Sequence, residues 1–398
     1  MARRYEIDDA QWEKIKPFLG NTPKKTGRPQ ADNRNLLNGV LWIMHTGAPW
    51  RDLPEYYGPW QTVYKRFSQW EKDEKLKQLF ESVRKNPDMQ DLCIDGTYIK
   101  ARRSSAGQGA PQSNIEEKKF VLESDGYKLN AAYTYINDGN AHPAVLLIAG
   151  SGPNDYDETL GVLKPFKDIA DGLAKEGINS LRVDKRTLSY AAEFDIKCGI
   201  KEEYLNDCNI AVEYLKSQNV SGLYLLGHSL GGQIAAELAA SIEGIDGIIL
   251  FNSSARHLAD IACDQYSALD PANKESYITY ATAAKSAMAT SAKGYYYYSA
   301  SDYYWVSYNQ MDTAQNIADA NIKTLIINSK FDKQSFDEDI ELWQMLFSDS
   351  VNISICVHDD ISHFGYKIDT TDPTSIYTQV DFPSELISDF ANFIRVRF

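Results

Sequence analysis

Residues 118–398 predict an α/β fold: a mostly parallel sheet of about eight strands with helices on both faces and a helical cap, preceded by a small all-α head. Three observations predict it. Apolar strand-like runs alternate with amphipathic helical stretches at intervals of roughly 25–40 residues, the rhythm of parallel strands joined by right-handed helical crossovers. The segment Gly227-His228-Ser229-Leu230-Gly231 sits between an apolar run, 223–226, and a small-residue helical stretch, 232–240. The first 115 residues have a helical pattern and a different charge from the rest: 19 Lys and Arg against 14 Asp and Glu, with 22 against 41 in the remainder.

That contrast bounds the partners. A chain of 398 residues is long for one domain, and 43% hydrophobic with 24% charged residues is a globular composition. The net charge of -14 is the sum of +5 on the first 115 residues and -19 on the body, which should repel nucleic acid. Cys93, Cys198, Cys208, Cys263 and Cys356 are odd in number, scattered and form no C-x-x-C pair, which suits a reducing compartment. No apolar stretch follows Arg3 and Arg4 as a signal peptide requires, and no run reaches the ~18 apolar residues of a membrane span. The expectation is a cytoplasmic protein without a membrane partner.

Along the head, Asp8 and Asp9 open a helix over 11–19 with Trp12, Ile15, Phe18 and Leu19 on its apolar face. A polar break covers 21–32. Further helices are predicted over 33–46, 60–70 and 75–83, the one over 60–70 with Lys65 and Arg66 on its exposed face. Short helices with basic turns suit a DNA-binding head equally with a bundle that carries solubilising charge. The text Thr26-Gly27-Arg28-Pro29, Thr46-Gly47-Ala48-Pro49-Trp50-Arg51-Asp52-Leu53-Pro54, Tyr57-Gly58-Pro59-Trp60 and Ile94-Asp95-Gly96-Thr97 resembles the amino-terminal domain of insertion-sequence-5-type transposases over about 1–107. That resemblance implies contact with transposon ends and makes Asp95 the counterpart of the first of three catalytic carboxylates. The pattern stops after Gly107, and one carboxylate cannot hold two divalent ions. The head is therefore expected to be a vestige without nuclease activity, with weak DNA binding by residues 1–107 as its remaining function.

A linker rich in Ser, Gly, Pro and Gln covers 108–117. A hairpin follows, 120–123 and 127–136 around Asp125-Gly126. The run 144–148 reads as a buried central strand. It leads into Ala149-Gly150-Ser151-Gly152-Pro153, a loop whose N–H groups can converge on one point; a phosphate loop would need a G-K-[ST] ending, which is missing. Then come a helix over 163–176, a strand over 179–183 ending in Asp184-Lys185-Arg186, and a helix over 202–215. Arg186 is expected to anchor its loop by ion pairing. After the strand 247–251, residues 257–318 are too long for a simple connection and read as a cap dominated by tyrosines, most of them packing it onto the body. Strands over 322–327 and 351–357, a helix over 338–347 and an amphipathic helix over 383–394 complete the body.

G-x-S-x-G after a strand is a turn that pushes the serine hydroxyl clear of the sheet, with helix N–H groups aimed at the same point. A serine so placed needs an imidazole to take its proton and an acid to orient the imidazole. Ser229, Asp332 and His363 follow in that order, each just beyond a strand. His358 is the alternative base, and Asp337 and Asp339 are alternative acids. The N–H of Leu230 and that of Ser151 are the expected oxyanion donors. With Gly150-Ser151-Gly152-Pro153 and Asp184-Lys185-Arg186, this set resembles the α/β-hydrolase superfamily, in particular its esterase and serine-aminopeptidase-like branch, over about 118–398. Thr187 stands where relatives often keep glycine. The resemblance implies a serine hydrolase acting on a small-molecule ester, with thioesters and amides open to the same triad. No metal or organic cofactor is expected, because neither an H-E-x-x-H motif nor a cysteine cluster is present.

Overall fold

The computed structural model describes residues 7, 9–19, 32–46, 50–73, 75, 114–191, 193, 197–332, 334–368 and 382–395. The chain divides into two compact units, Met1–Arg103 with Ile368–Val380, and Ser104–Lys367 with Asp381–Phe398.

In the first unit, α1 (Asp9–Leu19), α2 (Asn33–Thr46) and α3 (Trp60–Lys72) form a small bundle. Ile15, Leu19, Leu36, Val40, Val63, Phe67 and Trp70 lie at helical spacing and close one apolar core. Asn33, at the start of α2, donates from Nδ2 to the Leu19 carbonyl at 2.5 Å and so ties the end of α1 to α2. Lys65 is exposed as expected. Arg66 is not: it is half-buried and donates to Asn33 Oδ1 at 2.6 Å. The helix expected over 75–83, apart from Lys75, and Asp95 lie outside the described residues.

The second unit is built on one eight-stranded sheet. β1 (Ile115–Ser124) and β2 (Tyr127–Ile136) make the hairpin, with Asp125 and Gly126 both at positive φ in its turn. β1 begins at Ile115, inside the stretch read as linker, because its first residues pair with Ile136, Tyr135 and Thr134. β3 (His142–Ile148), α4 (Pro165–Lys175) and β4 (Asn179–Val183) follow. Pro165 occupies the first helical turn, where a missing N–H costs nothing, so α4 starts there rather than at Leu163. α5 (Arg186–Ser189) is a single turn. The helix expected over 202–215 opens instead as a π-helical turn, Lys201–Leu205, that runs into α6 (Asn206–Lys216).

β5 (Val220–His228), α7 (Leu230–Ser241) and β6 (Gly247–Phe251) form the centre. The cap comprises α8 (Leu258–Leu269), α9 (Lys274–Lys285), the two-residue strands β7 (Tyr296–Tyr297) and β8 (Ala300–Ser301), α10 (Asp302–Tyr308) and α11 (Thr313–Ala320). β9 (Lys323–Ser329), α12 (Asp337–Phe347), β10 (Ile353–His358) and α13 (Ser384–Arg395) end the unit.

The strand order is β1-β2-β4-β3-β5-β6-β9-β10, antiparallel at β1–β2 and β2–β4 and parallel elsewhere. Residues of β6 and β9 are buried throughout, as central parallel strands require. Register places the site. Ile148 stands opposite Gly227, His228 opposite Phe251, Phe251 opposite Ile327, and Ser329 opposite His358. With Arg182 of β4 opposite Leu147 as well, six loops leave the sheet at one edge, the edge where ligands bind in such folds.

Candidate active site

The turn after β5 holds Ser229 at φ 54° and ψ -124°, a strained conformation for a residue with a Cβ. Its neighbours must be glycines. A Cβ on Gly227 would lie 2.0 Å from the Gly231 carbonyl oxygen, and one on Gly231 would lie 2.1 Å from that of Ile148. The Ser229 N–H donates to the Phe251 carbonyl at 2.9 Å, which fixes the turn to β6. α7 starts at the next residue, so the Leu230 N–H belongs to its amino-terminal turn. The loop after β3 crosses close by: a Cβ on Gly150 would sit 3.1 Å from Ser229 Cβ.

Beyond β9, buried Asp332 accepts from His363 Nδ1 at 2.6 Å. The same carboxylate accepts from Ser335 Oγ at 2.6 Å and from the N–H groups of Gln334 and Ser335 at 2.7 and 3.1 Å. Burial opposes its ionisation, but His363 and these donors outweigh that, and its pKa lies below the usual aspartate range. Two of the alternative partners are engaged elsewhere, and Asp337 is exposed. His358 Nε2 bonds Asp389 on α13 at 2.9 Å, and Asp339 is fully buried against Arg256, Nε to Oδ1 at 2.7 Å. His142 lies at the other end of β3, bonded to the Gly177 carbonyl and Asp138. His257 caps α8 and bonds Asn309.

A second imidazole seats His363. His228, next to Ser229, has its ring centroid 4.6 Å from that of His363 and its Nε2 2.9 Å from the His363 carbonyl oxygen. Its Nδ1 lies 2.9 Å from Glu158 Oε1, which also accepts the Gly150 N–H at 2.8 Å. Both ring nitrogens face acceptors, an arrangement that favours the protonated ring. Burial disfavours that charge, yet Glu158 and the His363 carbonyl prevail and raise the His228 pKa. Asn252, at φ 46° after β6, donates to the Ser362 and His363 carbonyls at 3.1 and 2.7 Å. The glycine loop, the elbow and the histidine loop are thus one hydrogen-bonded assembly.

Glu158, His228 and Asn252 were not predicted as parts of the site. Glu158 stands in the acidic run Asp155-Tyr156-Asp157-Glu158, close behind the glycine loop in the sequence. Arg186 does anchor its loop, bonding Asp207 through Nε at 2.8 Å and Asp125 at 3.2 Å. The Asp184 carboxylate beside it accepts from Asn130 Nδ2 and from the Tyr156 N–H, and burial pushes its pKa up to about 6. Of the cap tyrosines, Tyr308 donates to Gln233 Oε1 of α7 at 2.7 Å and is buried, while Tyr295 and Tyr296 are exposed. Tyr266, Tyr277 and Tyr280 gather around Tyr298 in ring contacts.

Sheet order, elbow and cap define the class: residues from β1 onward have the α/β-hydrolase fold. Family comparison agrees and divides the chain in two. Residues 162–333 match the family of serine aminopeptidases, S33, and residues 7–80 match the IS4/5-family transposase model DUF4096. The two matches fall on different segments of the chain, a hydrolase-like body and a transposase-like head. Among curated proteins it is similar to esterase EstD of Thermotoga maritima, at 34% identity over 255 residues, covering 64% of this chain and 60% of EstD. The chain thus spans less than two thirds of the length of EstD. The head is similar to the uncharacterised protein y4sN of Sinorhizobium fredii, at 36% identity over 102 residues, covering 25% of this chain and 81% of y4sN. Among solved structures, Est1E of Butyrivibrio proteoclasticus superposes with a TM-score of 0.46 at 14% identity, over 69% of this chain and 98% of Est1E.

Proposed function

We propose that the protein is a serine hydrolase that cleaves carboxylic esters through an acyl-enzyme. The observation that carries this reading is the buried Asp332–His363 pair, 2.6 Å apart, seated beside the elbow that presents Ser229. Similarity to EstD supports an ester as the substrate class.

Asp332 orients His363 through Nδ1 and leaves Nε2 to act as base. Ser229 Oγ attacks the ester carbonyl carbon as its proton passes to His363. The carbonyl oxygen becomes an oxyanion, received by the N–H groups of Leu230 and Ser151. Collapse expels the alkoxide, which takes the proton from His363 and leaves as the alcohol. Water then repeats the sequence on the acyl-enzyme and releases the acid. The acidic body favours uncharged or cationic esters over polyanionic ones. The test is turnover of p-nitrophenyl esters by the parent and by Ser229→Ala.

A second reading concerns residues 1–107, proposed as a separate head that binds duplex DNA weakly. The transposase-family match over 7–80 supports it. Retention on duplex DNA that falls steeply with added salt is the expected result; no retention at low salt contradicts it.

A further inference from the structure

Inside the body, a charged cluster converges on one main-chain oxygen. The Gly150 carbonyl, at the root of the glycine loop, accepts from Lys185 Nζ at 3.1 Å, from the Tyr204 hydroxyl at 2.6 Å and from Asn154 Nδ2 at 3.2 Å. Lys185 and Tyr204 are both buried. The ammonium also contacts the Tyr204 oxygen at 2.6 Å and lies 3.1 Å from Glu203 Oε1, which supplies its countercharge. Glu203 and Tyr204 are neighbours on the π-helical turn Lys201–Leu205, a geometry that recurs at functional sites. Tyr304, from the cap helix α10, is half-buried, and its hydroxyl lies beside the same Glu203.

A buried ion pair is a poor way to gain stability alone, since desolvating both charges costs about as much as their attraction returns. This one is aimed at a carbonyl whose peptide also carries the Ser151 N–H. The described residues contain no cis peptide bond, and in a trans peptide the C=O and N–H point in opposite directions. Fixing the Gly150 oxygen towards Lys185 therefore fixes the Ser151 N–H away from it. Donors on that carbonyl also polarise the peptide and strengthen its N–H as a donor.

We infer that Lys185, held by Glu203 and Tyr204, is a positioning residue that aims the Ser151 N–H at the oxyanion formed on Ser229. The inference rests on the ester-hydrolase reading above. Lys185 touches no reacting atom in it and acts through the Gly150 peptide. Tyr304 makes the cap a participant, because a shift of α10 would disturb Glu203 and with it the ammonium.

The test compares the full-length parent with Tyr204→Phe, which removes one oxygen, and with Lys185→Met/Glu203→Gln, which removes the charge pair together. Each is assayed for p-nitrophenyl acetate turnover and for inhibition by an alkyl trifluoromethyl ketone. Addition of Ser229 Oγ to that ketone, with its proton passing to His363, leaves an oxyanion in the same place as the reaction does. The expected result is a kcat lower by about 10-fold in Tyr204→Phe and about 100-fold in the double variant, with KM nearly unchanged. Ketone affinity should fall by the same factors. A folded Tyr204→Phe protein with parental kcat and parental ketone affinity would overturn the inference and leave the hydrolase reading intact. A parent that turns over no ester and takes no fluorophosphonate label on Ser229 would overturn both.

Discussion

Ser229 carries the strain of the site, about 1–3 kcal/mol for a side-chain-bearing residue in its backbone conformation. The close contacts around it leave no room for a methyl group at Gly231, where the Ile148 oxygen would be 2.1 Å away. Gly231→Ala should therefore cost about 4 kcal/mol or more, read as a large fall in Tm or loss of folded protein. Asp332→Asn keeps the shape of the acid but removes the charge that stabilises protonated His363. It should lower kcat by about 10⁴-fold while thermal stability changes little by comparison. The Glu158–His228 pair makes a pH prediction. Its imidazole binds a proton more tightly folded than at its ordinary value of 6.5, so its stabilisation is complete below that value. It fades as the pH rises through the higher folded pKa. The Tm difference between the parent and Glu158→Gln should thus be wider at about pH 6 than at about pH 9.

Among the elements, strands and elbow were the legible part of the sequence. Apolar runs such as 144–148 and 247–251 are short and bounded by turn residues, which marks them as buried strands, and a G-x-S-x-G turn depends on residues next to one another. Asp332 and His363 were legible as a pair because each follows a strand whose carboxyl end the sheet brings to the same edge. The supporting network was not. Its bonds join Gly150 to Tyr204 across 54 residues and His228 to His363 across 135, and only the fold sets such distances. The π-helical turn escaped for a similar reason: its apolar spacing continues into α6 without a break. Cap attachment has an element-scale test. Arg256, just before α8, pairs with fully buried Asp339 on α12, and Ser254 Oγ donates to the same carboxylate. Removing one partner of such a pair leaves the other charge buried. Arg256→Met should cost about 3–5 kcal/mol in unfolding free energy, measured by denaturant titration.

At the scale of the whole molecule, similarities to two families fall on different segments of one chain, and each unit has its own apolar core. The shift in charge near residue 115 makes this organisation legible in the amino-acid sequence itself. A chain begun at Asn114 keeps every residue of the proposed site, and its kcat/KM on p-nitrophenyl esters should stay within about twofold of the parent. The charge asymmetry assigns any DNA retention to the head, so that retention should vanish in the same shortened chain. Ser229 as nucleophile is the central claim. The direct measurement is the intact mass of the parent and of Ser229→Ala after a fluorophosphonate, alongside turnover of p-nitrophenyl esters from acetate to decanoate. The expected result is one adduct on the parent that maps to Ser229, ester turnover blocked by it, and neither label nor turnover in the variant. Undiminished ester turnover by a folded Ser229→Ala protein would contradict the claim.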